Sequence, residues 1–162
     1  MMTIPDFLAY QPTGYDICLC HGGGCPHRAL CLRYLAEPGN RQDAFGTPPV
    51  DQEGNCTEFR DAREPFRQAL RHSAIEYEAY LLATQGATYA DCLWRLAQTD
   101  LRLEQLYDSP AATAPLAEHE IRDCAYSSWQ VCMIPIHELH WIMAERQLVL
   151  RALRLAAGAT DA

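Results

Sequence analysis

Between positions 18 and 31 the chain reads Cys18-Leu19-Cys20-His21-Gly22-Gly23-Gly24-Cys25-Pro26-His27-Arg28-Ala29-Leu30-Cys31. Counting Cys56, seven cysteine and histidine side chains fall within 39 residues. Thiolates and imidazoles are the soft and borderline donors that zinc prefers, and four thiolates close tetrahedrally around one Zn²⁺. The natural set is Cys20, Cys25, Cys31 and Cys56, spaced C-x4-C-x5-C-x24-C, and the three glycines let the backbone fold tightly around an ion. This spacing lacks the paired C-x2-C of common zinc modules, and four thiolates also suit a [4Fe-4S] cluster. Cys18, His21 or His27 could each replace one member of the set. Cys18-x-Cys20-His21 is one residue short of the C-x-x-C-H haem attachment pattern, so covalent haem is not expected. Arg28 and Arg33 would offset thiolate charge if they flank the site; on a solvated helix face they would not.

Other chemistries are poorly provided for. All 13 basic residues are arginine, which removes phosphate-loop, Schiff-base and kinase-type lysines. The formal charge of -8, with four arginines against seven acids in residues 1–60, argues against a nucleic-acid partner. His137-Glu138-Leu139-His140 is one residue short of the zinc-protease pattern, and no Glu-x-x-His occurs. None of the four serines sits in a nucleophile turn, and Gly-x-Gly-x-x-Gly is absent. No catalytic residues are assigned, and the chain reads as a non-enzyme. Cys92, Cys124 and Cys132 fall on apolar helical stripes and read as core.

The elements that must position the cysteines divide near residue 60. Residues 1–60 hold seven of nine glycines and six of ten prolines, a loop-rich composition with little core of its own. A bound ion would supply the folding free energy that such a module lacks. From residue 61 the period becomes helical. Pro65 opens a first helix over 64–85, and Thr88 with Asp91 forms a capping signal for a second over 89–107. A third helix spans 116–132, with Ile121, Cys124, Ala125, Ser128, Trp129 and Cys132 on one side. Pro135 opens a fourth, which frays near Gly158. Trp94, Trp129, Trp141, Tyr80 and Tyr126 read as core anchors, with an aromatic docking surface as the alternative.

The two helical pairs resemble copies. Ile75, Ala79 and Tyr80 recur 46 residues later as Ile121, Ala125 and Tyr126; Trp94, Ala97, Leu101, Leu103 and Leu106 recur 47 later as Trp141, Ala144, Leu148, Leu150 and Leu153. Ala125-Tyr126-x-x-Trp129 followed by Trp141-x-x-Ala144-Glu145-x-x-Leu148 resembles a short bacterial helical domain family of unknown function. That resemblance covers about 30 residues, departs at Met133 where the family has a turn glycine, and implies a helical fold without an activity. Cys25-x-x-Arg28-x-x-Cys31-x-Arg33-Tyr34, with Phe45, Pro48 and Cys56-x-x-Phe59, resembles small cysteine-rich bacterial and phage proteins. This second resemblance implies Cys25, Cys31 and Cys56 as ligands.

The expectation is a mainly α protein: a metal-stapled module over residues 1–60, and two αα-hairpins, one duplicated from the other, over 61–162. No stretch approaches the ~18 apolar residues of a membrane span, and the first residues lack a secretory signal, so a cytoplasmic setting is expected. The functional expectation is a zinc-binding adaptor or accessory subunit acting through a protein partner. The alternative is a small iron–sulfur protein for electron transfer or redox sensing.

Overall fold

A computed structural model describes residues 18–36, 43–109 and 112–158. The expected N-terminal module therefore falls partly outside the described residues. Within it, β1 (Leu19–Cys20) pairs in parallel with β2 (Ala44–Phe45), in register Leu19 to Ala44 and Cys20 to Phe45. A 3-10 turn (Arg28–Leu30) and the one-turn helix α1 (Leu32–Leu35) follow β1 in the chain. A mainly helical remainder contains α2 (His72–Thr84), α3 (Tyr89–Asp108), α4 (Glu118–Val131) and α5 (Ile136–Ala156). Among the described residues no helix is long and apolar enough to cross a membrane.

Local chemistry sets several boundaries. Thr88 Oγ1 accepts from the Asp91 N–H at 3.2 Å while Asp91 Oδ2 accepts from the Thr88 N–H at 3.0 Å, so a shortened capping box starts α3 as expected. Pro135 precedes the first residue of α5 and needs no amide partner there. The first helix, expected over 64–85, starts late. Residues 64–66 form a 3-10 turn, and extended backbone at Arg71 separates it from α2. The cause is a divided apolar stripe: Phe66 packs with Ala29, Leu30 and Leu103, whereas Ile75 and Leu82 enter a different cluster with Leu93 and Met143.

The expected αα-hairpins are replaced by crossed packing. Here α2 packs on α5, α4 packs on α3, and α3 and α5 pack on each other, while neither expected hairpin pair, α2 with α3 or α4 with α5, runs side by side. Extended backbone at Cys132 and Pro135 carries α5 away from α4, so its residues Leu139, Ile142 and Met143 meet α2 and α3 instead. Six of the eight matched positions of the two sequence copies share their burial; Leu101 with Leu148 and Leu103 with Leu150 do not. Ile75 and Ile121, Ala97 and Ala144, and Leu106 and Leu153 are all buried, and Tyr80 and Tyr126 are both exposed.

Three aromatic core anchors are corrected. Tyr80, Tyr126 and Trp129 are 64%, 55% and 51% exposed. On α4 the buried positions are Ile121, Cys124 and Ser128, and a residue one step beyond Ser128 turns by about 100°, out of that stripe. Cys92, Cys124 and Cys132 are buried as expected.

Candidate metal centre

The four cysteines singled out by spacing are brought together from four local structures. Cys20 ends β1, held by the Leu19 N–H donating to the Asp43 carbonyl at 2.7 Å. Cys25 follows a turn closed by its own N–H on the Gly22 carbonyl at 2.8 Å, with Gly22 and Gly24 at φ +65° and +73°. Those are left-handed conformations that only glycine adopts cheaply. Cys31 bridges to Asp61 in antiparallel fashion, with Leu32 N–H on the Arg60 carbonyl at 2.8 Å and Ala62 N–H on the Leu30 carbonyl at 3.0 Å. That bridge ties residues 60–62 to the cysteine segment. Cys56 closes a second bridge, to Val50, across a turn in which Asp51 Oδ1 accepts from the Asn55 N–H at 2.8 Å.

Cys20, Cys25, Cys31 and Cys56 all line one enclosed cavity of about 10 Å³. Three of them share a local device. The Gly22 N–H lies 3.4 Å from Cys20 Sγ, and the His27 and Glu58 amides donate to the sulfurs of Cys25 and Cys56. In each case the donor is two residues after the cysteine, the arrangement that stabilises a thiolate. Burial opposes it. The Cys25 thiol is pushed up to about 12, chiefly by burial and also by the neighbouring Cys56, Cys20 and Cys31, against the His27 amide. Burial likewise raises the Cys56 thiol. A cation beside these thiols would favour their deprotonation by sharing the charge. Among the described residues no group of three or more His, Cys, Asp or Glu is arranged to hold a metal ion as it stands.

The other candidates separate by position. His27 lines the cavity, but its Nε2 is hydrogen-bonded to the Gly54 carbonyl at 2.8 Å, and burial, reinforced by the charge of Arg146, lowers its pKa. The Cys18 thiol donates to the Leu19 carbonyl at 3.7 Å, and neither Cys18 nor His21 is among the residues around the cavity. His137 is exposed beside Glu138, and His140 is half-buried.

Arg28 and Arg33 are both buried beside the cysteines, which overturns the solvated-face reading. Arg33 donates to the Cys18 carbonyl at 2.8 Å and the Glu58 carbonyl at 2.6 Å, joining the strands that carry Cys20 and Cys56. Arg28 lies 3.2 Å from Glu104 and donates to Cys124 Sγ at 2.8 Å, joining the module to α3 and α4. Sequence reasoning missed the buried charges that continue this link. Arg146 lies 3.3 Å from Asp100 and donates to the Pro26 carbonyl at 2.7 Å, while Glu145 accepts from Arg63 at 2.6 Å. The available signal was a charge inside an apolar period: Asp100 stands between Leu96 and Leu103, and Arg146 between Met143 and Val149.

Between the cysteine module and the first half of α5 lies an open cleft of about 330 Å³, whose lining includes His27, Cys56, Phe59, Arg63, Trp141 and Glu145. Compared with known proteins, the chain matches no family model, no curated protein and no solved structure.

Proposed function

We propose that the chain is a non-enzymatic, zinc-stapled adaptor: Cys20, Cys25, Cys31 and Cys56 hold one Zn²⁺, which fixes the loops of an N-terminal module against a helical body that contacts a protein partner. The observation that carries this reading is the convergence of the four thiols on one cavity, three of them with an amide donor two residues later. Four thiolates leave a zinc ion no open position for substrate, which is the pattern of a structural site.

Several features support the remainder. The module adds only Ala29 and Leu30 to the shared buried cluster, so an ion supplies cohesion that its packing does not. The exposed pair Tyr126 and Trp129, ring centroids 5.8 Å apart, supports contact with a protein, because aromatic side chains concentrate at such interfaces. Shared burial at six of the eight matched positions and the reciprocal packing of α2 on α5 and α4 on α3 support an internal duplication, with the division near residue 60 separating module from helices. A cytoplasmic setting fits eight free thiols.

The test is hydrogen exchange before and after a strong zinc chelator. Amides of residues 19–35 and 50–62 lose protection on chelation while those of α3 and α5 keep it. Unchanged protection in both regions contradicts the reading.

A further inference from the structure

We propose that Cys56 is the modification site of this centre, the thiolate that a neutral soft electrophile or peroxide reaches first and whose reaction releases the ion. The inference rests on the zinc reading above. Of the four cysteines, Cys56 alone lines both the 10 Å³ cavity and the open 330 Å³ cleft. Cys25 and Cys31 are buried, and Cys20, half-buried like Cys56, is not among the residues lining the cleft. The cleft is many times the volume of a peroxide molecule, so it admits a small reagent as far as Cys56.

Position in the chain makes Cys56 the detachable ligand as well. Cys20, Cys25 and Cys31 lie within 12 residues, whereas Cys56 comes from the separate turn that bridges Val50. The ionisable groups of the cleft besides His27 are Glu53, Glu138, Glu145, Arg63 and Arg146, three acids against two bases. That balance, within a chain of charge -8, admits neutral reagents more readily than anionic ones.

With peroxide, the Cys56 thiolate attacks one oxygen; an S–O bond forms, the O–O bond breaks, and the departing hydroxide is protonated to water by hydronium or buffer acid. Sulfur gives up two electrons and peroxide accepts them. A second thiolate of the centre, Cys31 or Cys20, then attacks the sulfenic sulfur. An S–S bond forms, the S–O bond breaks, and the second hydroxide leaves as water after protonation. Two thiolates, one peroxide and two protons become one disulfide and two waters. An ion that has lost two of four donors leaves. With a maleimide, an S–C bond forms, the adjacent carbon takes a proton, and the thioether is a poor ligand.

The experiment treats the zinc-loaded full chain with limiting N-ethylmaleimide, follows zinc release with a colorimetric chelator, and maps the adduct after cleavage at arginine. Cys56 lies alone in the fragment 42–60 and Cys31 alone in 29–33, so the two are read separately. The expected result is modification of 42–60 in step with zinc release, about ten-fold faster than 29–33, with iodoacetate slower than the maleimide. Limiting peroxide in place of the maleimide joins 42–60 through a disulfide to another cysteine fragment. Zinc release with 42–60 unmodified, or 29–33 reacting at least as fast, overturns the proposal while leaving the zinc site standing. A chain that carries no zinc overturns both.

Discussion

Arg146 donates from Nη2 to the Pro26 carbonyl at 2.7 Å, joining α5 to the loop between Cys25 and His27 across 120 positions of sequence. Arg146 is 1% exposed and lies 3.3 Å from Asp100, so the contact anchors the cysteine loop with a fully buried cation. Arg146→Met keeps much of the volume but leaves Asp100 without its nearest cation and the carbonyl without its donor. The expected cost is about 3–5 kcal/mol in urea denaturation, because removing one partner of a buried pair strands Asp100 and the Pro26 carbonyl together. A loss below about 1 kcal/mol would contradict the role given to this contact.

The same pair makes stability depend on pH. Burial raises the Asp100 carboxyl from 3.8 to about 6, outweighing Arg146 and Arg28. The folded chain therefore holds this proton more tightly than the unfolded one. The contribution of Asp100 is complete below about pH 4 and is lost as pH rises through about 6. Asp100→Asn removes the titration. Between pH 4 and 7 the wild type should lose on the order of 2 kcal/mol relative to the variant, read by urea denaturation in steps of pH. A difference that stays constant across that range would refute the shift.

Gly24 is required by geometry. Its φ is +73°, and a Cβ built there would lie 2.4 Å from the Ser127 carbonyl oxygen and 2.4 Å from Val131 Cγ2, on α4. Gly24→Ala should lower stability by roughly 2 kcal/mol or more through strain and collision. Gly23→Ala is the control, since nothing lies within 4 Å of its Cβ position. Equal melting temperatures for the two variants would show that the loop does not pack on α4 as described.

The cysteines divide into those around the cavity and the rest. Serine at Cys20, Cys25, Cys31 or Cys56 should weaken zinc binding about 100-fold, measured by chelator competition, because a hydroxyl is a poor replacement for a thiolate. Cys18→Ser should leave zinc affinity within about two-fold of wild type, since Cys18 lies outside the cavity. Equal losses at Cys18 and Cys56 would mean that the ligand set is wrong.

Much of this arrangement was legible because it is local. Thr88 and Asp91 announce their helix start, and Cys92, Cys124 and Cys132 sit on apolar stripes that remain buried. That Cys20, Cys25, Cys31 and Cys56 gather around one cavity was legible from residue type and spacing. What stayed hidden depends on partners distant in sequence. Phe66 leaves the first helical stripe because Leu30 and Leu103 complete its cluster, which no window around residue 66 contains. Helix order suggested hairpins, but pairing follows which stripes complement each other, and Ile142 and Met143 complement α2 and α3. Trp129 satisfied the apolar period by type while lying one helical step outside the buried stripe. Asp100 and Arg146 were passed over because a charge in an apolar period makes sense only once its partner is visible.

The central claim is one zinc ion held by four thiolates. Elemental mass spectrometry beside a visible spectrum, on protein purified without oxygen, tests it most directly. One zinc ion on four thiolates predicts about one zinc per chain and a colourless solution. Iron with acid-labile sulfide and absorbance near ~400 nm, or no metal at all, would contradict it.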